Sequence, residues 1–253
     1  MIVAERRLKI ISYVNMYKKI RISDLSRLCA VSEETIRRDL KNLEEENYII
    51  RKRGCAISIE EDNSLLSTPS FELNEQNRYL QLALKAIQLI RENDKVVLDN
   101  SKEAYYVAKY LPNITLTVIT NSLKVILLLS EKNKITTMSV GGELQKDTLT
   151  YTRVLSKDIF NKLYFDKAFI ACEGLDIKKG ITVNCIHEAE FKKKIIQNVN
   201  KVYILLQSNK TNKKVSNKIS NVTDIHGVIT SNDMNKIIEK SLKNLKINLI
   251  YSQ

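Results

Sequence analysis

The sequence has no apolar run long enough to span a membrane, and its N-terminus lacks the pattern of a secretory signal. These two absences predict a soluble protein of the cytoplasm. With 253 residues and a hydrophobic fraction of 43%, the chain can bury a sizeable core and is long enough for two domains.

Residues that bind metals are few. The chain has two histidines and four cysteines, and no cysteine pair has the Cys-x-x-Cys spacing. A structural zinc site is therefore disfavoured. The cysteines, which we expect to be reduced and structural, are Cys29, Cys55, Cys172 and Cys185. His187 and Glu190 can share one helix face but lack a third clear ligand, so we predict no metal site there.

Glycine is also scarce. The chain has six glycines and contains neither the GxxxxGK nor the GxGxxG spacing. These spacings let a backbone close around the phosphates of a nucleotide. Their absence disfavours a nucleotide-binding loop, and we predict that the protein carries no cofactor.

Acidic residues are outnumbered by basic ones. The chain has 41 lysines and arginines against 29 aspartates and glutamates, and this net charge of +12 favours a polyanionic partner. The excess is not confined to one end, because residues 1–60 hold 13 basic and 9 acidic residues. The position of the basic residues, rather than their number, must therefore identify the partner.

Residues 31–43 predict an amphipathic helix. Ile36, Leu40 and Leu43 recur at i, i+4 and i+7, so they share one face. Ser32 can cap the helix, because its hydroxyl can accept a hydrogen bond from an unpaired N–H of the first turn. The polar residues for which we predict DNA contact are Ser32, Glu34, Thr35, Arg37, Arg38 and Lys41. In a major groove arginine pairs with guanine, glutamate accepts from cytosine and lysine holds phosphate.

A charged outward face is by itself more often only solvated, so the neighbouring segments decide. Residues 6–17 predict a first helix, and Ser23 can cap a short second helix. Residues 18–22 between these helices are a basic connector, and Ala30-Val31 is a tight turn before the reading helix. Two short helices joined by a brief turn fit a helix-turn-helix, whose second helix reads the DNA.

A basic hairpin follows the reading helix. Residues 47–50 and 55–59 are β-prone runs on either side of a turn that contains Gly54. The basic residues of this hairpin, for which we predict phosphate or minor-groove contact, are Arg51, Lys52 and Arg53. Alone the turn could be an ordinary solvated one, but beside the helix pair it indicates a wing. We therefore predict a winged helix-turn-helix DNA-binding domain over residues 1–59.

The rest of the chain has a different pattern. Residues 60–75 lose hydrophobic periodicity and contain Pro69, one of two prolines, so we predict a linker. In residues 76–253, a helix over 77–92 precedes short apolar runs that alternate with helical patterns. This alternation predicts an α/β domain with a mostly parallel sheet covered on both faces. In such sheets a ligand binds at the carboxyl ends of the strands.

The predicted strand ends are rich in small, polar and charged residues, several of which immediately precede helices. They occupy residues 99–103, 120–122, 141–143, 172–174 and 207–210. Backbone N–H groups at the helix starts, together with Lys102 and Lys210, can hold a phosphate. The alternative, that these are merely polar loop residues, stays open on the pattern alone.

With these motifs the sequence resembles the DeoR family of bacterial transcription regulators along nearly its whole length. The resemblance is carried by residues 6–11, 31–40, 118–122, 141–144, 165–169 and 180–182. It implies a winged helix-turn-helix followed by an effector-sensing and oligomerisation domain with the fold of sugar-phosphate isomerases. It also implies a homo-oligomeric repressor of a sugar-metabolism operon, which binds operator DNA and is released by a phosphorylated sugar.

The resemblance also implies positions for the effector site. They are Asp99, Asn121, Gly141, Gly142, Glu173 and Lys210, and Ser101 and Lys102 join them at one strand end. The chain departs from the family pattern at 101–103, where the family has a Gly-Thr-Thr-like phosphate loop. It departs again at Ala171, which replaces a glycine, and at 207–210, which keep only the lysine of an Asp-x-Ser-Lys motif.

Two alternatives stay open beside the inducible repressor. The first is a DNA-binding regulator that does not respond to a sugar phosphate, because Glu103 would repel a phosphate group. The second, more remote, is a sugar-phosphate isomerase in which Asp99, Glu173 and Lys210 supply acid and base groups. An isomerase would leave the DNA-binding domain unexplained, so we predict that the protein is not an enzyme.

Overall fold

The computed structural model describes residues 3–46, 48–58, 70–153 and 164–252. The chain divides into two compact units, Met1–Leu80 and Gln81–Gln253.

The first unit combines helices with a three-stranded antiparallel sheet. Its elements up to residue 58 are α1 (Val3–Tyr17), β1 (Lys19–Arg21), α2 (Ile22–Cys29), α3 (Glu33–Glu45), β2 (Ile50–Lys52) and β3 (Cys55–Ile57). The strand order is β1-β3-β2. The helices bury apolar side chains such as Ile10, Leu25 and Ile36 in one core. This is the winged helix-turn-helix that the sequence predicts, with the β2–β3 hairpin as the wing.

A tight turn joins α2 to α3. Ala30 adopts the left-handed conformation, with a φ of 54°, and its N–H donates to the Arg27 carbonyl at 3.3 Å. The Ser26 hydroxyl donates to the Val31 carbonyl at 2.5 Å. These bonds hold the two helices of the motif at a fixed angle without a glycine in the turn.

The segment of residues 18–22 is not the connector that we expected, because it contains strand β1. Ile20 is buried between the exposed residues Lys19 and Arg21, and the strand pairs with β3. A three-residue strand with one buried side chain is too short to give a periodic signal in the sequence.

The predicted cap at Ser23 is wrong. Helix α2 begins at Ile22 and has Arg21 as its N-cap, with no capping bond from a side chain. The Ile22 N–H donates instead to the carbonyl of Gly54 in the wing turn, at 3.1 Å. A distant backbone carbonyl therefore satisfies a helix-start donor for which we expected a local hydroxyl.

A carboxylate is buried between α1 and α3. Asp39 is 3% exposed and accepts from Arg6 Nε at 2.5 Å, from Arg6 Nη2 at 3.3 Å and from Arg7 Nε at 3.4 Å. An unpaired carboxylate in this position would be costly, and two arginines of α1 satisfy it. The ion pair therefore fixes how α3 is rotated about its own axis.

The rest of the described chain alternates strands with helices. The strands are β4 (Lys95–Leu98), β5 (Leu116–Thr120), β6 (Ile135–Ser139), β7 (Glu143–Gln145), β8 (Thr150–Thr152), β9 (Phe165–Ala171), β10 (Gly174–Asp176), β11 (Gly180–Val183), β12 (Val199–Leu206), β13 (Asn217–Ser220), β14 (Gly227–Ser231) and β15 (Asn248–Ser252). The α-helices are α4 (Ser70–Ile87), α5 (Lys102–Tyr110), α6 (Leu123–Leu129), α7 (Ile186–Asn198) and α8 (Lys236–Asn244).

Seven of these strands form one parallel sheet in the order β15-β14-β12-β9-β4-β5-β6. Its central strands are fully buried, as Val97, Phe169 and Ile204 show. The parallel α/β architecture predicted from the apolar runs is confirmed. The small antiparallel sheets β10-β11-β13 and β7-β8 were not predicted, because their strands have only three or four residues.

Helix α4 differs from its predicted bounds of 77–92 at both ends. It begins at Ser70, so residues 70–75 are helical, whereas residues 59–69 lie outside the described part of the chain. Residues 74–78 are all polar, so the sequence gives no apolar periodicity from which the start of this helix could be predicted. The chain turns away beyond Ile87, and Asn93 takes the left-handed conformation with a φ of 69°.

Replacing Asp39 with Asn should destabilise the folded chain by roughly 2–3 kcal/mol, because it leaves the partly buried guanidinium of Arg6 without its charged hydrogen-bond partner. The free energy of unfolding in urea measures this loss. The matched control is Asp24→Asn, which removes an exposed carboxylate that lies 2.5 Å from Arg27. That change should cost less than about 1 kcal/mol. Equal losses in the two variants would contradict the anchoring role of Asp39.

Candidate functional site

The start of α3 is held by a hydroxyl pair. The Ser32 side chain accepts from the Thr35 N–H at 3.2 Å, and its oxygen lies 2.9 Å from the Thr35 hydroxyl oxygen. The predicted cap at Ser32 is therefore confirmed. Both hydroxyls lie at the helix end that a winged helix-turn-helix points into the major groove.

The three cations of α3 differ in whether they have a partner. Arg37 Nη2 lies 2.8 Å from Glu33, and Lys41 Nζ lies 3.9 Å from Glu45. Arg38 is exposed and forms no hydrogen bond or ion pair with any residue that the structure describes. Of these three side chains, Arg38 can therefore bind a base or a phosphate without giving up an internal partner.

The wing is tied to α3 by another ion pair. Glu44 accepts from the Arg51 backbone N–H at 2.8 Å and from its guanidinium at 2.6 Å. Both hydrogen bonds lower the pKa of Glu44, and the bond from the backbone N–H has the larger effect. Lys52 and Arg53 are exposed at the tip, and Arg53 has no partner within the described residues. Arg51 thus positions the wing, and Arg53 is the tip cation that is free to meet a phosphate.

In the second unit, Asp99 follows strand β4 and is fully buried. Its Oδ1 accepts from the Ser101 N–H at 3.1 Å and from the Ser101 hydroxyl at 2.5 Å. Its Oδ2 accepts from the Ala171 N–H at 2.9 Å and lies 3.0 Å from Lys192 Nζ. The carboxylate is therefore occupied inside the protein, where it joins the ends of β4 and β9 to helix α7.

Lys192 is a buried ammonium that the sequence analysis missed. It is 3% exposed, donates to the Ala171 carbonyl at 2.8 Å and lies 3.8 Å from Glu188. Burial lowers its pKa, but attraction to Asp99 and Glu188 outweighs burial, so the pKa is raised above its ordinary 10.5. The sequence signal was a lysine between Phe191 and Ile195 on an otherwise apolar helix face.

Lys210 is held by Glu103 of the same unit. The Glu103 carboxylate is 3% exposed, and its Oε1 accepts from Lys210 Nζ at 2.9 Å and from Gln207 Nε2 at 3.0 Å. Glu103 lies in the first turn of α5, and Gln207 and Lys210 follow strand β12. The lysine that we expected to hold a phosphate is therefore neutralised by an internal carboxylate.

Charged groups from both ion pairs influence the thiol of Cys172, which follows strand β9. Burial raises the pKa of the Cys172 thiol to about 12, while the charges of Lys210 and Lys192 lower it and that of Glu103 raises it. All three charged groups therefore act on one buried thiol at the end of β9. The thiol stays protonated at neutral pH, which agrees with a structural role for this cysteine.

Asn121 lies at the next strand end and has an unsatisfied acceptor. The residue is 2% exposed, and its Nδ2 donates weakly to the Tyr151 carbonyl at 3.5 Å. Its Oδ1 is buried and has no hydrogen-bond partner within the described residues. A ligand donor that reached this strand end would satisfy it.

The predicted glycines form a turn after β6 whose backbone conformation favours glycine. Gly141 and Gly142 have φ values of 64° and 120°. At Gly142 a Cβ atom would lie 2.3 Å from the Thr152 carbonyl oxygen, so only glycine fits. This close approach brings the β7–β8 hairpin beside the end of β5, where the Asn121 carbonyl accepts from the Tyr151 N–H at 2.7 Å.

The remaining predicted effector residues lie at the surface. Glu173 is exposed, and its Oε2 accepts from the Asn184 N–H at 2.5 Å. Lys102 is exposed in the first turn of α5. The structure thus joins Asp99 with Ser101 and pairs Lys210 with Glu103, while Glu173 and Lys102 stay accessible to solvent.

Within the described residues no group of three histidine, cysteine, aspartate or glutamate side chains is arranged to hold a metal ion. His187 lies 3.8 Å from Glu190 on the first turns of α7, with the carboxylate largely exposed. No helix in the described part of the chain is both long and apolar enough to cross a membrane.

A winged helix-turn-helix on the same chain as a parallel α/β unit is the architecture of a DNA-binding regulator with a second domain. Two family models match this chain: a DeoR-like helix-turn-helix domain over residues 6–62, and a DeoR C-terminal sensor domain over residues 75–232. The chain belongs to the DeoR family, and it is a DNA-binding regulator with a sensor domain.

The chain is similar to transcription regulators over most of the length of both proteins. The chain is 34% identical to the uncharacterized HTH-type transcriptional regulator YulB of Bacillus subtilis, over 98% of this chain and 96% of that protein. It is 32% identical to the B. subtilis transcriptional repressor GlcR, over 89% of this chain and 87% of that protein. It is 27% identical to the L-fucose operon activator of Haemophilus influenzae, over 91% and 93%. None of these relatives is named as an enzyme.

Among solved structures, ribose 5-phosphate isomerase A of Methanocaldococcus jannaschii aligns with a TM-score of 0.40. The alignment covers 55% of this chain and 56% of that chain at 15% identity. So distant a similarity has no bearing on activity. The isomerase alternative also loses support because Asp99, one of its proposed acid or base groups, is fully buried.

Replacing Arg38 with Ala should weaken operator binding by about 1–3 kcal/mol and relax the preference at one base pair, because an unpaired guanidinium reads a base edge directly. Titration of labelled operator fragments, each with one base pair changed, measures both effects.

Two other arginines provide matched comparisons for Arg38→Ala. Arg37→Ala should cost less, since Arg37 is already paired with Glu33 at 2.8 Å. Arg53→Ala should weaken binding to all sequences alike and reduce the salt slope by about one. Indifference of operator binding to Arg38→Ala would remove α3 as the reading helix.

Replacing Lys192 with Met should destabilise the chain by roughly 3–5 kcal/mol, since it leaves the buried Asp99 carboxylate without a counter-charge. Urea unfolding at pH 7 measures the effect. Because the folded-state pKa of Lys192 is raised above 10.5, the stabilisation is fully present below that pH and is lost as the pH rises through the folded-state value. The neighbouring exposed residue gives the control, and Lys193→Met should be nearly neutral.

Proposed function

We propose that the protein represses an operon for sugar metabolism by binding operator DNA in the cytoplasm with α3 and the wing. The observation that supports this most directly is Arg38, which is exposed and unpartnered on a helix that is capped by Ser32 and anchored by Asp39. The relatives GlcR and the L-fucose operon activator support a regulatory role in carbohydrate use. We propose repression rather than activation because the repressor GlcR, at 32% identity, is more similar to this chain than the activator, at 27%.

The other groups at the proposed interface have supporting roles. Glu34 and Thr35 lie near the start of α3, where base edges are read in this motif. The remaining cations, Lys41, Lys52 and Arg53, are exposed and suit phosphate contacts. Base contact from α3 and phosphate contact from the wing together give sequence-specific binding.

The protein is proposed to act as a homo-oligomer. One reading helix contacts only a few base pairs, and regulators with this motif gain specificity from paired half-sites. For a symmetric dimer the half-sites are spaced by about 34–36 Å, or a multiple of that distance.

The effector is proposed to bind at the carboxyl ends of the sheet strands, where Asn121, Gly141, Glu173 and Lys210 lie. A phosphorylated sugar is the effector that the family resemblance implies, and the helix start at α5 would favour its anionic group. One observation favours the second candidate function, a regulator without a sugar-phosphate response. Glu103 holds Lys210 at 2.9 Å and so competes with any phosphate for that cation.

The experiment that tests the repressor is a protection map of the DNA upstream of the protein's own gene, repeated with a set of sugar phosphates. We expect a protected operator with two half-sites, and no protection by the Arg38→Ala variant at the same concentration, because the base-reading contact is lost. A sugar phosphate that is the effector should abolish protection.

Each outcome of the protection experiment has a distinct interpretation. Absence of any protected fragment would refute the regulator at this locus. Protection that persists with every sugar phosphate would favour the second candidate function.

A further inference from the structure

Helix α5 begins with a turn that favours an anion, and this chain places the carboxylate of Glu103 in that turn. The helix spans nine residues and is capped by Ser101, so its first N–H groups and its dipole favour negative charge. Glu103, in the first turn, is 3% exposed and is bonded to Lys210 at 2.9 Å and to Gln207 at 3.0 Å. Two side-chain donors that a phosphate oxygen could use, Lys210 Nζ and Gln207 Nε2, are therefore already bonded to Glu103.

The charges around this position leave no excess of cations. The carboxylates at these strand ends, or paired with groups there, belong to Asp99, Glu103, Glu143, Glu173 and Glu188. The cations there belong to Lys102, Arg153, Lys192 and Lys210. Lys192 is 3% exposed and is committed to Asp99 at 3.0 Å. A phosphate dianion would thus enter a region where carboxylates outnumber lysines and where Glu103 repels it.

The unsatisfied atoms near these strand ends are acceptors. Asn100 Nδ2 donates to the Glu188 carboxylate at 2.8 Å, and Asn121 Nδ2 donates to the Tyr151 carbonyl at 3.5 Å. Both partners only accept, so each amide has its orientation fixed. The two Oδ1 atoms are buried and have no partner within the described residues. A phosphate group has no donor to offer them, whereas the hydroxyl groups of a sugar or polyol do, so these two acceptors indicate a hydroxylated ligand and the exclusion of phosphate rests on Glu103.

We propose that Glu103 is a built-in anion that excludes phosphorylated ligands, and that the sensor domain binds an unphosphorylated sugar or polyol. The inference rests on the proposed function in one respect, which is that the effector binds at these strand ends, and it develops the second candidate function, a regulator without a sugar-phosphate response. Glu103 is then the residue that determines specificity. Hydroxyl groups of the ligand satisfy the acceptors of Asn100 and Asn121.

The test removes the internal anion and asks whether phosphate binding appears. In Glu103→Gln the side chain keeps its size but loses its charge, which frees Lys210. Thermal unfolding and calorimetric titration with inorganic phosphate, at constant ionic strength, should show no binding by the wild type. The variant should bind phosphate at least about tenfold more tightly, because a charge-assisted hydrogen bond to Lys210 becomes available.

Two matched variants separate a local effect from a change in net charge. Glu131→Gln removes one exposed carboxylate elsewhere in the same unit and should gain no phosphate binding. Adding Lys210→Met to Glu103→Gln should abolish the gain. Phosphate binding by the wild type, or no gain in a folded Glu103→Gln protein, would overturn the proposal. If Glu103→Gln fails to fold, phosphate titration of the wild type decides alone.

A set of matched ligands tests the second half of the inference. Glucose, ribose and glucitol are each compared with the corresponding phosphate ester for their effect on melting temperature and operator release. A response to an unphosphorylated member alone supports the proposal, and a response to an ester overturns it. If no unphosphorylated member acts, the polyol assignment is overturned, whereas phosphate exclusion is judged by the variants.

Operator affinity without any ligand is measured for each protein in parallel. If the wild type does not bind operator, the proposed repressor is contradicted. The phosphate titrations test the role of Glu103 independently, so the two failures can be distinguished.

Discussion

The DNA-binding proposal depends on the buried ion pair between Asp39 and Arg6. Apolar contacts are not directional, so Ile36, Leu40 and Leu43 alone would tolerate some rotation of α3 about its axis. A carboxylate bonded to Arg6 at 2.5 Å and 3.3 Å tolerates much less. Successive residues of a helix point about 100° apart. Burying Asp39 therefore turns its neighbours Arg37 and Arg38 toward solvent, where both are exposed.

A buried charge also needs a partner in the sensor domain, but there the pairing leaves fewer cations for a ligand. Lys192 is paired with Asp99 at 3.0 Å, and Lys210 is paired with Glu103 at 2.9 Å. Residues 61–253 carry +8, which is the total of +12 minus the +4 of residues 1–60. This excess is not available at the strand ends, so the net charge of a domain is a poor guide to the charge of its ligand.

The sequence was sufficient where a structure depends on residues close together in the chain. The Ser32 cap joins residues three apart, and apolar runs indicated the strands of the parallel sheet. It was insufficient where the partner is distant. Glu103 and Lys210 are 107 residues apart, and the start of α2 is satisfied by Gly54 rather than by Ser23. A single sequence shows that a charge lies near an apolar face, but not which residue meets it.

Pairing also separates two kinds of arginine on the DNA-binding unit. Arg51 is bonded twice to Glu44, so its cost of ordering is met within the protein, and a carboxylate would stay near any phosphate that it approached. Arg53 has no such partner in the described chain, so on our proposal its full charge is available for counterion release. The paired arginine sets the position of the wing, and the proposed phosphate contact of the unpaired arginine is the one that depends on salt. The salt dependence of operator binding should therefore reflect fewer cations than the basic residues of this surface.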